Sequence, residues 1–311
     1  LLILVDLLSG AARIHIFIRK LIKQNSFWAC FKANLANIFL AAATPFQTGG
    51  GVAQLYILNK NGIPYSAGVT VSVLNFVATL SLLLLAGTFI VTTVPNKFAS
   101  NQTLFAVMDI SRFVFYFTFI AFTFFVIQPA ILSKFLDKFF NWIMKIFPSR
   151  KKRLTNISRQ VTHFITQYRN YLSYYLKEGK LILLWNYILT IILYFNKCLV
   201  AYVVFLGLGI SVNIWDVILM QMLIIFFLYF APTPGAGFVA ETSTSAIMSL
   251  IAPNHILVLF TVLWRFFTTY FGVFLGSFIL LKAIGEPLSQ IDVTVEAEVK
   301  PMVEEMEILS K

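Results

Sequence analysis

The sequence predicts an all-α integral membrane protein, a polytopic helical bundle with two inverted re-entrant hairpins, each broken at a Pro/Gly motif. Three observations predict it. Hydrophobic residues make up 59% of the 311 and charged residues only 12%, with a mean hydropathy of +0.83; a soluble domain is roughly half apolar and about a quarter charged. Several stretches are long and nearly free of charge. Residues 65–94 carry none, 180–206 carry only Lys197 after the first residue, and 256–281 carry Arg265 alone. A hydrocarbon core of about 30 Å takes roughly 20 such residues as helix. Finally, two shorter apolar regions are interrupted by Pro and Gly at matching places. None of these runs shows the apolar/polar alternation of a membrane β-barrel.

Taken in order, the chain opens on five apolar residues, Leu1 to Val5, without Met. They read as the tail of a helix already in the bilayer, so a missing N-terminal portion is expected and no signal peptide is evident. Arg13, Arg19, Lys20 and Lys23 read as a cytoplasmic basic patch. Residues 27–44 are apolar but short for a span, and are stopped by Pro45 and then Gly49, Gly50 and Gly51. Residues 52–58 resume a helical pattern and end at Asn59-Lys60-Asn61-Gly62-Ile63-Pro64, a turn signal. Spans are expected at 65–94 and 109–132.

Residues 133–179 differ. Lys134, Asp137, Lys138, Asn141 and Lys145 recur on one helical face, with Phe135, Phe139, Phe140, Ile143 and Phe147 on others, the pattern of an interfacial amphipathic helix. Pro148 breaks it. A second stripe follows at Leu154, Ile157, Val161, Phe164, Tyr168, Tyr171 and Tyr175. The run Arg150-Lys151-Lys152-Arg153 reads as a solvated face attracted to anionic headgroups, with a docked cytoplasmic partner as the alternative. Further spans follow at 180–206 and 256–281, with 214–230 and 239–251 flanking Ala231-Pro232-Thr233-Pro234-Gly235-Ala236-Gly237. The acidic tail, 283–311, has the composition of a loosely ordered segment. The domain reading is one membrane domain over 1–282: a first half at about 13–132, the basic segment at 133–179 and a second half at 180–282.

The net charge of +11 comes from 24 basic and 13 acidic residues. Its clustering beside spans reads as positive-inside topology in a multi-pass cytoplasmic (inner) membrane protein, not as nucleic-acid binding. With both basic clusters inside, 27–44 and 52–58 form a hairpin entering from the cytoplasm with its tip at 45–51. Residues 214–230 and 239–251 form a second from the opposite face, with its tip at 232–237. Short, Pro/Gly-broken segments at matching places in two halves point to a transporter site near the midplane. The alternative is that the breaks only permit close helix packing.

Charges at membrane depth are functional candidates. Arg265 lies about 15 Å into its span at 1.5 Å per residue, and Glu241, one turn beyond Gly237, is its expected counter-ion. The pair either binds a lipid phosphate or only pins the hairpin. Lys197, beside Asn196, is similarly deep. Thr44, Gln47, Thr48 and Gln54 around the first tip either line a polar groove or satisfy broken backbone. Asn75 reads as interhelical glue. His15, His163 and His255 are scattered, so no metal or other cofactor is expected.

Two stretches carry a recognisable pattern: Thr44-Pro45-Phe46-Gln47-Thr48-Gly49-Gly50-Gly51-Val52-Ala53-Gln54 and Ala231-Pro232-Thr233-Pro234-Gly235-Ala236-Gly237-Phe238-Val239-Ala240-Glu241. With Leu263-Trp264-Arg265-Phe266-Phe267 and Gly272, they resemble the flippase-like family named for the lysylphosphatidylglycerol synthase transmembrane region. That family includes the membrane half of the multiple-peptide-resistance protein. The resemblance covers the chain from about Arg13 to Lys282 and implies re-entrant helices that translocate a phospholipid or polyprenyl-type lipid. Pro45, Gly49, Gly50, Gly51, Pro232, Pro234, Gly235, Gly237, Glu241 and Arg265 match the pattern. Gln54 departs from it, since many members carry Arg there, and the first half is left without that basic group.

The leading functional expectation is therefore a flippase-like transporter of an anionic phospholipid or polyprenyl-phosphate-type lipid, with membrane lipids as partners. A homo-oligomer is compatible with it. The alternatives are a membrane-embedded lipid-modifying transferase, disfavoured because the spans offer almost no acid or base beside Glu241, and a non-transporting lipid or protein scaffold. With no soluble synthetase domain in these 311 residues, aminoacyl transfer to lipid is not expected of this chain alone.

Overall fold

The computed structural model describes residues 1–21, 26–93, 113, 116–117, 119–124, 126, 128–146, 151–229, 231 and 233–286. Its helices are α1 (Leu2–Leu21), α2 (Phe27–Ala43), α3 (Thr48–Lys60), α4 (Tyr65–Thr93), α5 (Pro129–Ile146), α6 (Lys151–Lys177), α7 (Lys180–Gly207), α8 (Ile214–Tyr229), α9 (Gly237–Met248) and α10 (Asn254–Gly285). No strand occurs among the described residues. Most of the span expected at 109–132, most of the acidic tail, Pro148 and Pro232 lie outside them.

Three helices, Tyr65–Phe89 within α4, α7 and α10, are long and apolar enough to cross a membrane. The protein is an all-α membrane protein. Helices α2 and α8 are apolar but only 17 and 16 residues long, so they reach about 25 Å at 1.5 Å per residue, short of a full core. Each folds back on a short partner through a three-residue 3₁₀ turn, Pro45–Gln47 or Pro234–Ala236.

The two turns are built alike. Thr44 and Thr233 are both extended (φ/ψ −121/147 and −86/146) and each precedes a proline. Two left-handed residues then follow, Phe46 and Gln47 (φ 52 and 56) in one, Gly235 and Ala236 (φ 58 and 53) in the other. The expected tips at 45–51 and 232–237 are shorter in the structure. Two left-handed residues suffice to reverse the chain, so helix resumes at Thr48 and Gly237. Gly49 and Gly50 therefore lie inside α3 and serve packing. A Cβ on Gly49 would stand 2.7 Å from the Thr44 side chain, and one on Gly50 would stand 2.9 Å from the Asn37 carbonyl.

The same sequence spacing separates Thr44 from Thr233, Thr48 from Gly237 and Tyr65 from Asn254, so α1–α4 and α7–α10 repeat one plan. The helices that precede the two hairpins run antiparallel. Asn196 Nδ2 donates to Leu2 O at 2.9 Å near one end of the α1–α7 pair, and Arg13 Nε to Asn186 Oδ1 at 3.4 Å farther along. The two turns meet: Gln47 Nε2 donates to Leu228 O at 3.4 Å, and a Cβ on Gly235 would lie 2.9 Å from Ala42 O.

In lipid, helices associate through close contact and hydrogen bonds because hydrocarbon offers no hydrophobic drive between them. Gly276 of α10 shows this most sharply, since a Cβ there would sit 2.1 Å from Leu35 O of α2. The stripe expected along α6 is anchored only in its second half. Tyr171 and Tyr175 are buried, with Tyr175 OH donating to Phe17 O at 2.9 Å, whereas Ile157 is exposed. Lys151 and Lys152 in the first turn of α6 are exposed.

Candidate functional site

A cavity of about 610 Å³ opens between α1, the first hairpin, α4 and α7, and Tyr229 of α8 also lines it. Three charged side chains line it: Asp6, Arg13 and Lys197. Lys197 Nζ stands 2.9 and 3.1 Å from the two Asp6 carboxylate oxygens, so these two cancel. Arg13 has no carboxylate partner among the described residues.

Arg13 is 7% exposed, and its position corrects the sequence reading. That reading placed it with Arg19 and Lys20 in a cytoplasmic patch. It sits instead in the interior of the 20-residue helix α1, eight residues before its last residue Leu21. Its Nη2 donates to Asn75 O at 2.7 Å and Thr79 Oγ1 at 3.0 Å, and its Nε to Asn186. An arginine carries five N–H donors. These bonds use three, and the two on Nη1 have no partner among the described residues. A guanidinium at this depth costs about 2.5–3.5 kcal/mol on insertion scales, offset here by neutral acceptors alone, so its charge remains available to a ligand.

Neutral groups line the rest of the polar wall. Asn37 Nδ2 donates to Gln54 Oε1 at 3.0 Å, Gln54 Nε2 to Ser72 Oγ at 2.9 Å, and Ser72 to Gly68 O at 2.9 Å. This chain fixes α2, α3 and α4 around the cavity. Thr79, Tyr194 and Tyr229 line the cavity with Arg13. The Asn75 side-chain amide makes none among the described residues, and its Oδ1 is buried. Asn75 is therefore not the interhelical glue the sequence suggested.

The cavity brings together Gln47, Gly51, Gln54 and Lys197 of the sequence-predicted residues. Gly51 has no atom within 4 Å of a would-be Cβ and keeps this wall low. Thr44 stands behind it. Its Oγ1 donates to Leu40 O and accepts from Gly49 N, both at 2.8 Å, occupying one of the N–H groups freed at the start of α3. Pro45 opens the turn.

Arg265 and Glu241 do not line this cavity. Arg265 is buried and donates to Gly235 O at 2.6 Å and Gly237 O at 3.3 Å. Its Nη1 is 4.0 Å from a Glu241 carboxylate that is 66% exposed, and its guanidinium faces the Tyr270 ring at 5.2 Å. A π-helical stretch, Phe266–Tyr270, follows it directly. Arg265 thus binds backbone carbonyls of the turn where Pro234, Gly235 and Gly237 break the second hairpin. Thr233 adds no such bond, since its Oγ1 is buried without a partner.

Sequence reasoning missed Arg13, Asp6, Asn37, Asn75 and Tyr194. For Arg13 the signal was present: it follows an apolar run interrupted only by Asp6, as deep as Arg265 is in its own span. The basic group absent at Gln54 is supplied to the same cavity from α1.

The family model for the lysylphosphatidylglycerol synthase TM region matches residues 1–276. The chain belongs to that family. The match takes in α1 and the whole lining of the cavity, so the lysylphosphatidylglycerol synthase TM region includes Arg13 and Asp6 here. Neither the curated proteins nor the solved structures provide a match.

Proposed function

We propose that this protein is a flippase-like transporter that moves an anionic lipid headgroup across the cytoplasmic membrane through the cavity beside the first hairpin. The observation that carries the reading is Arg13, a buried guanidinium with no carboxylate partner and two free N–H donors among the described residues, on the wall of a cavity in a membrane protein. In this multi-pass reading both hairpins are re-entrant and inverted. Helices α2 and α8 are too short to cross, their turns meet, and α1 runs antiparallel to α7. Irregular backbone at membrane depth is tolerated where protein buries it or a cavity receives it, and paired broken segments at a repeat interface are where transporters bind substrate. Arg13 holds the phosphate, the Asp6–Lys197 pair sets the far wall, and the lipid chains remain in the bilayer.

The role that Arg265 and Glu241 take in this proposal is to hold the second turn closed against the first. Membrane lipids are the partners, and the exposed basic turns of α6 face anionic headgroups.

The test is headgroup accessibility of fluorescent anionic lipids in proteoliposomes of wild type and Arg13→Gln. A charge-assisted hydrogen bond contributes about 1.5–3 kcal/mol, so the variant should translocate about ten- to a hundredfold more slowly. Wild-type protein that matches empty liposomes with every anionic lipid would refute the reading.

A further inference from the structure

We infer that the headgroup this cavity accepts is an uncharged polyol joined through a phosphate ester, of inositol or sugar size, and not one carrying an ammonium group. The inference rests on the transport site proposed above and deepens it. An ionised phosphate ester accepts hydrogen bonds from Arg13 Nη1 but has no donor to offer. Beside it stands Asn75, whose own carbonyl receives Arg13 Nη2 at 2.7 Å. Its side-chain amide is unpartnered among the described residues, with Oδ1 buried. A buried acceptor left unpaired costs about 1–3 kcal/mol, so the site is completed by a ligand that also donates.

Two groups donate at that position, a hydroxyl or an ammonium. An ammonium there would be repelled by the Arg13 guanidinium, and the one carboxylate on the wall among the described residues, Asp6, is held by Lys197 at 2.9 Å. Glu241 is at Arg265 and lines no part of this cavity. A hydroxyl both donates and accepts, which matches the two ends of an amide. The remaining polar wall is neutral as well, through Asn37, Gln54 and Ser72. Phe76 and Phe122, in edge contact at 4.9 Å, offer an apolar surface to the carbon face of a ring. The cavity of about 610 Å³ falls within the range of about 300–1,000 Å³ typical of small-molecule sites.

The experiment compares initial translocation rates of four fluorescent lipids with identical chains in proteoliposomes of the full chain: phosphatidylinositol, phosphatidylglycerol, phosphatidic acid and phosphatidylethanolamine. The first two should move at least tenfold faster than the last two. Asn75→Ala, which breaks no side-chain hydrogen bond among the described residues, should narrow the gap between phosphatidylinositol and phosphatidic acid at least fivefold. Asn75→Thr, which keeps a donor and an acceptor, should restore part of it.

Phosphatidic acid moving as fast as phosphatidylinositol overturns the polyol and leaves the transport reading standing. Preference for phosphatidylethanolamine overturns it likewise. Thermal stabilisation by phosphatidylinositol but not by phosphatidic acid, with no translocation of either, supports the polyol site and removes the transport reading. Glycerophosphoinositol, the same headgroup without chains, should compete only weakly; competition equal to that of the lipid would assign the cavity to a soluble polyol phosphate and overturn the lipid source.

Discussion

The two hairpins share a backbone and differ in almost everything the backbone carries. In the first, Asn37 and Gln54 face a cavity, and Asn75 of the following helix adds a free amide. At the corresponding places of the second stand Phe226, Ser243 and Trp264. Apolar packing closes that half instead, with Met220, Ile224, Ile247 and Trp264 in one cluster and Phe205 stacked on Phe260 at 4.0 Å. The buried arginines differ in the same sense. Arg13 bonds neutral acceptors and keeps donors free; Arg265 spends its bonds on the carbonyls of its own hairpin turn. In the transporter proposed above, one half then holds the ligand and the other holds shape. A backbone motif repeated twice is not a site repeated twice.

Several substitutions break or sharpen this contrast. The largest effect on stability is expected from Gly235→Val. A β-branched residue at φ 58 is strained by about 1–2 kcal/mol, and its Cβ would meet Ala42 O at 2.9 Å. The temperature of thermal unfolding should drop sharply. Next comes Arg265→Gln, which removes the side-chain donors to the Gly235 and Gly237 carbonyls. A loss of about 1–3 kcal/mol is expected, read as a lower unfolding temperature, with translocation per folded molecule little changed.

Asn37→Phe transplants the second hairpin's residue into the first. Stability should move by about 1 kcal/mol at most, the scale of the single hydrogen bond lost, while translocation falls at least tenfold because the ring fills the cavity. Glu241→Gln should do least. Its exposed contact to Arg265 at 4.0 Å is worth about 0–1 kcal/mol, and a larger change would assign Glu241 a role beyond this contact.

Composition and Pro/Gly punctuation made most of the architecture legible. Helix boundaries at 65, 180 and 214 fall where the apolar runs begin, and the Arg265–Glu241 encounter followed from one turn of helix after Gly237. The turns were placed correctly but drawn too long, because glycine was read as loop when Gly49 and Gly50 serve helix packing. The site was legible only in part. Gln47, Gly51, Gln54 and Lys197 were singled out, but Arg13 was assigned to topology because it was grouped with Arg19, Lys20 and Lys23 as one basic patch. Whether a buried cation is satisfied by its own hairpin or left to a ligand depends on contacts such as Arg13 to Asn75 and Asn186. These join residues far apart in the chain, and periodicity carries no information about them.

The central claim is the division of labour between the two arginines. Arg13→Gln and Arg265→Gln, each measured for thermal unfolding and for translocation of a fluorescent anionic lipid per folded molecule, test it together. The account predicts that Arg13→Gln loses translocation about ten- to a hundredfold, the scale of one charge-assisted hydrogen bond, and that Arg265→Gln keeps translocation per folded molecule, although both variants lose stability through the hydrogen bonds they remove. Translocation lost in Arg265→Gln and kept in Arg13→Gln would contradict it and move the site to the second hairpin.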